Sequence, residues 1–98
     1  MFEVVDSDCD RLFLLKDNLT SLNIAPLNQA LDAFIEDDER DVILDLEDVT
    51  KIDSKALAFL IRAKKRLAEN SRGLKMTNLS EPVQKVLTLT GVEAFLTE

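Results

Sequence analysis

Residues 41–59 read Asp-Val-Ile-Leu-Asp-Leu-Glu-Asp-Val-Thr-Lys-Ile-Asp-Ser-Lys-Ala-Leu-Ala-Phe, and this stretch decides the architecture. It opens on a short, nearly continuous apolar run, Val42-Ile43-Leu44-Asp45-Leu46. A run of that length predicts a strand, and its lack of polar alternation predicts a central strand covered on both faces. Residues 47–52 form a short connection. Asp53-Ser54 then opens the longest helix, expected over about residues 55–69 with Gly73 as its terminator.

Working outward toward the N-terminus, Leu27, Ala30, Leu31, Phe34 and Ile35 recur at helical spacing. Asn23 is the expected N-cap, and Pro26 is tolerated in the first turn. The acidic run 36–41 should end this helix as a solvated turn, because it lacks the alternating ligand spacing and sharp-turn glycine of a calcium loop. Further back, Val4-Val5 and Leu12-Phe13-Leu14-Leu15 flank a polar turn at residues 6–11 and predict a two-stranded hairpin. Toward the C-terminus, residues 74–79 alternate like a half-buried strand. Ser80 should cap a third helix, with Pro82 in its first turn and Val83, Val86 and Leu87 on one face. Gly91 suits the left-handed residue that closes it. Val92, Phe95 and Leu96 are expected to pack a last short turn onto the core.

The resulting order is β-β-α-β-α-β-α. Strands alternating with helices imply parallel strands joined by right-handed crossovers. The expected fold is a single α/β domain over residues 1–98: a mixed four-stranded sheet with helices packed mainly on one face. Its core should contain Leu14, Leu27, Leu31, Phe34, Ile43, Leu44, Leu57, Leu60, Ile61, Leu67, Met76, Val83, Val86 and Leu87.

Composition narrows the function classes. The 98 residues carry no histidine, which removes the commonest general base and the commonest metal ligand. The carboxylates Asp45, Glu47 and Asp48 near a strand end have no nucleophile–base pair or phosphate loop beside them, so no enzyme, metal or cofactor is expected. The single cysteine, Cys9, fits a reducing cytoplasm. No apolar stretch reaches the roughly 18 residues of a membrane span, and no signal peptide is visible. A net charge of −7 argues against nucleic-acid binding. That charge is polarised: residues 1–50 hold 14 acidic and 3 basic groups, residues 51–98 hold 5 and 9. Such asymmetry suits protein partners, although solvated surface alone would also account for it.

The stretch 41–59 is similar to the central signature of STAS domains: an apolar strand, a polar turn, then an apolar-Asp-Ser step into a helix. Residues 83–92, Val-Gln-Lys-Val-Leu-Thr-Leu-Thr-Gly-Val, resemble the family's C-terminal segment, and the likeness extends over about residues 41–96. The N-terminal third matches in pattern only: where the family usually has Gly and then Asp, this chain has Asp17 and Thr20. At the helix start the family's Asp-Ser-Ser/Thr-Gly-Leu is here Asp53-Ser54-Lys55-Ala56-Leu57. The resemblance is to bacterial anti-sigma factor antagonists. It implies a protein-binding module that engages an anti-sigma factor doubling as a serine kinase. Phosphorylation at Ser54, beside Asp53, would release it, and a phosphatase would reset it. A monomer or weak homodimer is implied, without membrane insertion. STAS-like domains also serve without phosphorylation, as scaffolds in signalling assemblies or as cytoplasmic subunits of lipid-transport complexes.

The position of Ser54 is physically apt. A helix N-terminus presents unpaired N–H groups and the positive end of the helix dipole, so a phosphate is accepted there without unfolding. Ser54 could equally serve only as an N-cap. On a helical wheel Ala56, Leu57, Leu60, Ile61, Ala63, Leu67 and Ala68 gather on the side expected to face the sheet. Lys55, Ala58, Phe59, Arg62, Lys65 and Arg66 lie opposite. The expected partner surface is therefore Asp53, Ser54, Lys55, Ala58, Phe59, Arg62 and Arg66, with an exposed Phe59 as its apolar anchor.

Overall fold

The computed structural model describes residues 2–91. The strands are β1 (Phe2–Asp6), β2 (Asp10–Leu15), β3 (Asp41–Asp45) and β4 (Leu74–Thr77). The helices are α1 (Ala25–Asp37), α2 (Ser54–Glu69) and α3 (Glu81–Thr90). The element order is the one expected, and the strands form one mixed sheet in the order β1-β2-β3-β4. β1 and β2 make an antiparallel hairpin, while β2–β3 and β3–β4 are parallel. The hairpin turn is tied locally, with Ser7 Oγ donating to Asp10 Oδ1 at 2.8 Å. Among the described residues no helix is long and apolar enough to cross a membrane. The expected packing of Val92, Phe95 and Leu96 lies outside the described residues.

Register separates the two faces of the sheet. Phe13 pairs with Leu44, and Leu44 with Met76; Val42 pairs with Leu74. These side chains share one face and all are buried, in one cluster with Leu27, Leu31, Phe34, Leu57, Leu60, Leu67, Val83 and Leu87 from the helices. The other face carries Leu12, Leu14 and Ile43, which are only half-buried and lie outside that cluster. The expectation that β3 is covered on both faces is thus corrected, and Leu14 and Ile43 are not core. The core residues here are Phe13 and Leu15 of β2, Val42 and Leu44 of β3, and Leu46 just beyond β3. β3 is an interior strand, but the helices cover a single face, so half of its apolar run meets a surface that antiparallel and mixed sheets can leave to solvent. Ile61 and Val86, also expected in the core, are half-buried and pack against its margin.

Helix boundaries follow their caps with three differences, of which one is at the end of α2: Asn70 is its C-cap and Ser71 takes the left-handed conformation, before Gly73, the expected terminator. α1 starts at Ala25 with Ile24 in the cap position and no side-chain cap, Pro26 lying in its first turn as expected. Asn23 instead closes the preceding turn, its Oδ1 accepting from Thr20 N–H at 2.9 Å. Ser80 precedes α3 but donates its hydroxyl to the carbonyl of Val49 rather than capping. Gly91, at φ 75°, closes α3 in the left-handed conformation.

The end of the sheet where β2 and β3 begin is built around Phe34. This ring is buried and edge-on to Phe13, with centroids 6.3 Å apart. The guanidinium groups of Arg11, Arg40 and Arg72 stand 4.6, 5.5 and 5.5 Å from its centroid. Arg11 pairs with Asp6, Arg40 with Asp38 and Asp6. Arg72 donates to the carbonyls of Ile35 (2.8 Å) and Arg40 (2.9 Å), satisfying the open C-terminus of α1. The side-chain hydrogen bond from Arg11 holds the Asp6 carboxyl below its ordinary value, and that from Arg40 holds Asp38 far below it.

Candidate functional site

Because β2 and β3 are parallel, both deliver their C-terminal ends to the opposite end of the sheet. There the loops 16–24 and 46–53 lie side by side. A parallel bridge joins Leu19 to Ile52, both buried. Leu19 N–H donates to Lys51 O at 2.9 Å, and Asp53 N–H to Leu19 O at 3.1 Å. Asn18 adds a side-chain clamp: its Oδ1 accepts from Thr50 N–H (2.9 Å), Thr50 Oγ1 (3.1 Å) and Lys51 N–H (3.1 Å). One carboxamide oxygen thereby fixes the loop that leads into α2.

Asp53 completes the joint. Its backbone is extended, and it is the N-cap of α2. Oδ1 accepts from Ala56 N–H at 2.9 Å, and Oδ2 from Ser21 N–H of the neighbouring loop at 2.7 Å. These backbone donors, Ala56 foremost, hold the carboxyl below its ordinary value. Capping therefore belongs to Asp53. Ser54 is the first residue of the helix, exposed, and its hydroxyl makes no hydrogen bond to a described residue.

The remaining expected surface residues separate into two groups. Lys55, Ala58 and Arg62 are exposed alongside Ser54. Phe59 is not: it is 5% exposed and lies in the seam between α1 and α2 beside Leu31, Ile35 and Ala63. This corrects its assignment as an exposed anchor. Arg66 is half-buried in the same seam and pairs with Asp32 of α1, so its charge is already met within the domain. Ala68, expected to face the sheet, is exposed.

Three contributors at this end escaped the sequence reading: Asn18, Ser21 and Leu22. Leu22 sits in the turn before α1 and is 96% exposed. The available signal was a lone leucine among turn-forming residues, out of phase with the helical spacing that follows. Asn18 and Ser21 act through loop-to-loop hydrogen bonds, which no local pattern announces.

A mixed sheet with helices on one face and an Asp-Ser step at the start of α2 defines a recognisable class of domain. The family model described as "Mlab, STAS domain" matches residues 6–98, and the chain belongs to this STAS family. Solved structures of the same fold include a proposed anti-sigma factor antagonist from Thermotoga maritima. It has a TM-score of 0.87 and 21% identity over 98% of this chain and 83% of that one. Another is the anti-sigma factor antagonist SpoIIAA in its unphosphorylated form, with a TM-score of 0.85 and 15% identity over 99% and 86%. A third is an anti-sigma factor antagonist from Mycobacterium paratuberculosis, with a TM-score of 0.84 and 20% identity over 98% and 81%. No curated protein matches the chain in sequence.

Proposed function

We propose that this domain is a phospho-regulated binding module of the anti-sigma factor antagonist type. In this reading it works in the cytoplasm, binds an anti-sigma factor that is also a serine kinase, and is released by phosphorylation at Ser54. A phosphatase restores it. The observation that carries the reading is the uncommitted, exposed hydroxyl of Ser54 on the first turn of a 16-residue helix whose capping is done by Asp53. A phosphate there meets the positive end of the helix dipole and disturbs no packing. It adds roughly −1.5 to −2 charge to the surface formed with Lys55, Ala58 and Arg62. Binding, not folding, is what such a charge changes.

Two departures from the family pattern bear on recognition of Ser54 by a kinase. Ala56, in place of glycine, is fully buried, so its methyl group faces the core and leaves the approach to Ser54 open. Lys55 is exposed beside the acceptor. A second reading, a constitutive STAS subunit without phosphorylation, takes its support from the Mlab description of the family.

The test is affinity capture from lysate of the source cells with wild type, Ser54→Ala and Ser54→Asp, with mass spectrometry of the partner and of Ser54. Ser54→Ala should keep the partner. Ser54→Asp should lose at least part of it, since aspartate carries less charge than phosphate. Equal capture by wild type, Ser54→Asp and phosphorylated protein would sink the switch and leave the constitutive reading.

A further inference from the structure

Leu22 is an apolar side chain left almost wholly in water, at 96% exposure. Single exposed leucines are ordinary, and Leu89 on the outside of α3, at 77%, is one. Two features set Leu22 apart. The first is that its turn is held on both sides: Ser21 N–H is bound to Asp53 Oδ2 at 2.7 Å, and Asn23 Oδ1 receives Thr20 N–H at 2.9 Å. A side chain on a turn fixed in this way loses little freedom on binding. The second is place. The carboxylate that receives Ser21 belongs to the residue before Ser54, so Leu22 and the start of α2 share one surface.

Along α2 that surface continues as a line of cations. Lys55, Arg62 and Lys65 are exposed and have no acidic partner among the described residues, whereas Arg66 on the flank is paired with Asp32. Ala58 lies between them and permits close approach. In a chain of net charge −7, three uncompensated cations on one stripe complement an acidic surface.

We infer, building on the reading of this end as the partner site, that Leu22 is the apolar anchor of the contact. Its occupant is a protein whose docking face is acidic, with an apolar notch that takes Leu22 while its acidic groups lie along Lys55, Arg62 and Lys65. A second copy of the chain docked symmetrically, stripe to stripe, fits poorly, because the two basic stripes would repel. An anionic membrane fits poorly as well: one leucine is a small insertion, and the chain's net charge opposes approach.

The experiment uses the intact chain and the purified protein captured in a Ser54-sensitive manner. Affinities are measured for wild type, Leu22→Ala, Leu22→Ser and the double variant Arg62→Glu/Lys65→Glu, each first shown to melt like wild type. Leu22→Ala should weaken binding by about tenfold or more, as removal of an interface anchor does. The double variant should slow association and flatten its dependence on salt. Wild-type affinity for Leu22→Ala with a partner that still responds to Ser54→Asp would overturn this inference and leave the switch standing. Absence of any Ser54-sensitive partner would overturn both. Leu22-dependent binding to phosphatidylglycerol vesicles, or a Leu22-dependent dimer in sedimentation, would reassign the residue and overturn the protein contact.

Discussion

The two ends of the sheet are joined by different chemistry. Where β2 and β3 begin, three guanidinium groups surround the Phe34 ring and reach carboxylates and helix-end carbonyls. Where the same strands finish, the joints between loops are mainly backbone N–H groups, one carboxamide and one capping carboxylate, with the Ser80 hydroxyl on Val49 and a long, exposed ion pair, Lys16–Asp48 at 3.8 Å, beside them. The first end spends its side chains on holding itself together. The second holds itself largely by its backbone, which leaves Leu22, Ser54, Lys55 and Arg62 facing outward. On the proposed function, stability and recognition are divided along the strand axis, as loops on a rigid scaffold allow.

The largest effect should come from the first end. Phe34→Ala is expected to destabilise the domain by about 3–5 kcal/mol in denaturant unfolding, because it removes a buried ring and the platform of three arginines. A loss below about 1 kcal/mol would mean that the arginines hold this end without the ring. Next comes Asn18→Ala, expected to cost about 0.5–1.5 kcal/mol, because it removes the acceptor shared by Thr50 and Lys51 at an exposed joint where water can take its place. Hydrogen exchange at those two amides should quicken, and partner binding should weaken, since the loop leading to Ser54 is loosened. Unchanged exchange would show that the Leu19–Ile52 bridge suffices alone.

The smallest effect distinguishes the ends by pH. Asp6, Asp38 and Asp53 all have folded values below their unfolded ones, which lie near about 4. Their contribution is present above that pH and lost as pH falls through the folded values. Stability should therefore hold level near neutrality and drop below about pH 4. In Asp38→Asn and Asp53→Asn the drop should be shallower. Added salt should weaken the Asp38 contribution, which rests on Arg40, more than that of Asp53, which rests on backbone N–H groups. Equal salt sensitivity in the two variants would erase the chemical contrast between the ends.

Much of this was legible in the sequence, and the misreadings share a cause. The strand at Val42 to Leu46, the helix opened by Asp53-Ser54 and the closing Gly91 all depend on local propensity and capping, which neighbouring residues determine. Phe59 depends on something else. A helical wheel assumes one buried side, but α2 packs against the sheet and also against α1, so its apolar arc widens to include Phe59. Ile43 and Leu14 erred in the opposite sense: their strands have one helix-covered face, and hydrophobicity alone does not say which. At the site, Ser54 was legible as the start of a helix. The turn that sets Leu22 beside it depends on contacts between residues about thirty positions apart, such as Ser21 with Asp53.

The hairpin turn holds one more asymmetry. Cys9 is the sole cysteine in the chain, is exposed, and its carbonyl receives Asp41 N–H at the start of β3, the end of the sheet remote from Ser54. Maleimide chemistry will therefore place a fluorophore at one defined point, far from α2's first turn and without any engineered substitution. Rotational anisotropy from that dye follows complex formation at the other end while leaving the serine, the leucine and the lysines untouched.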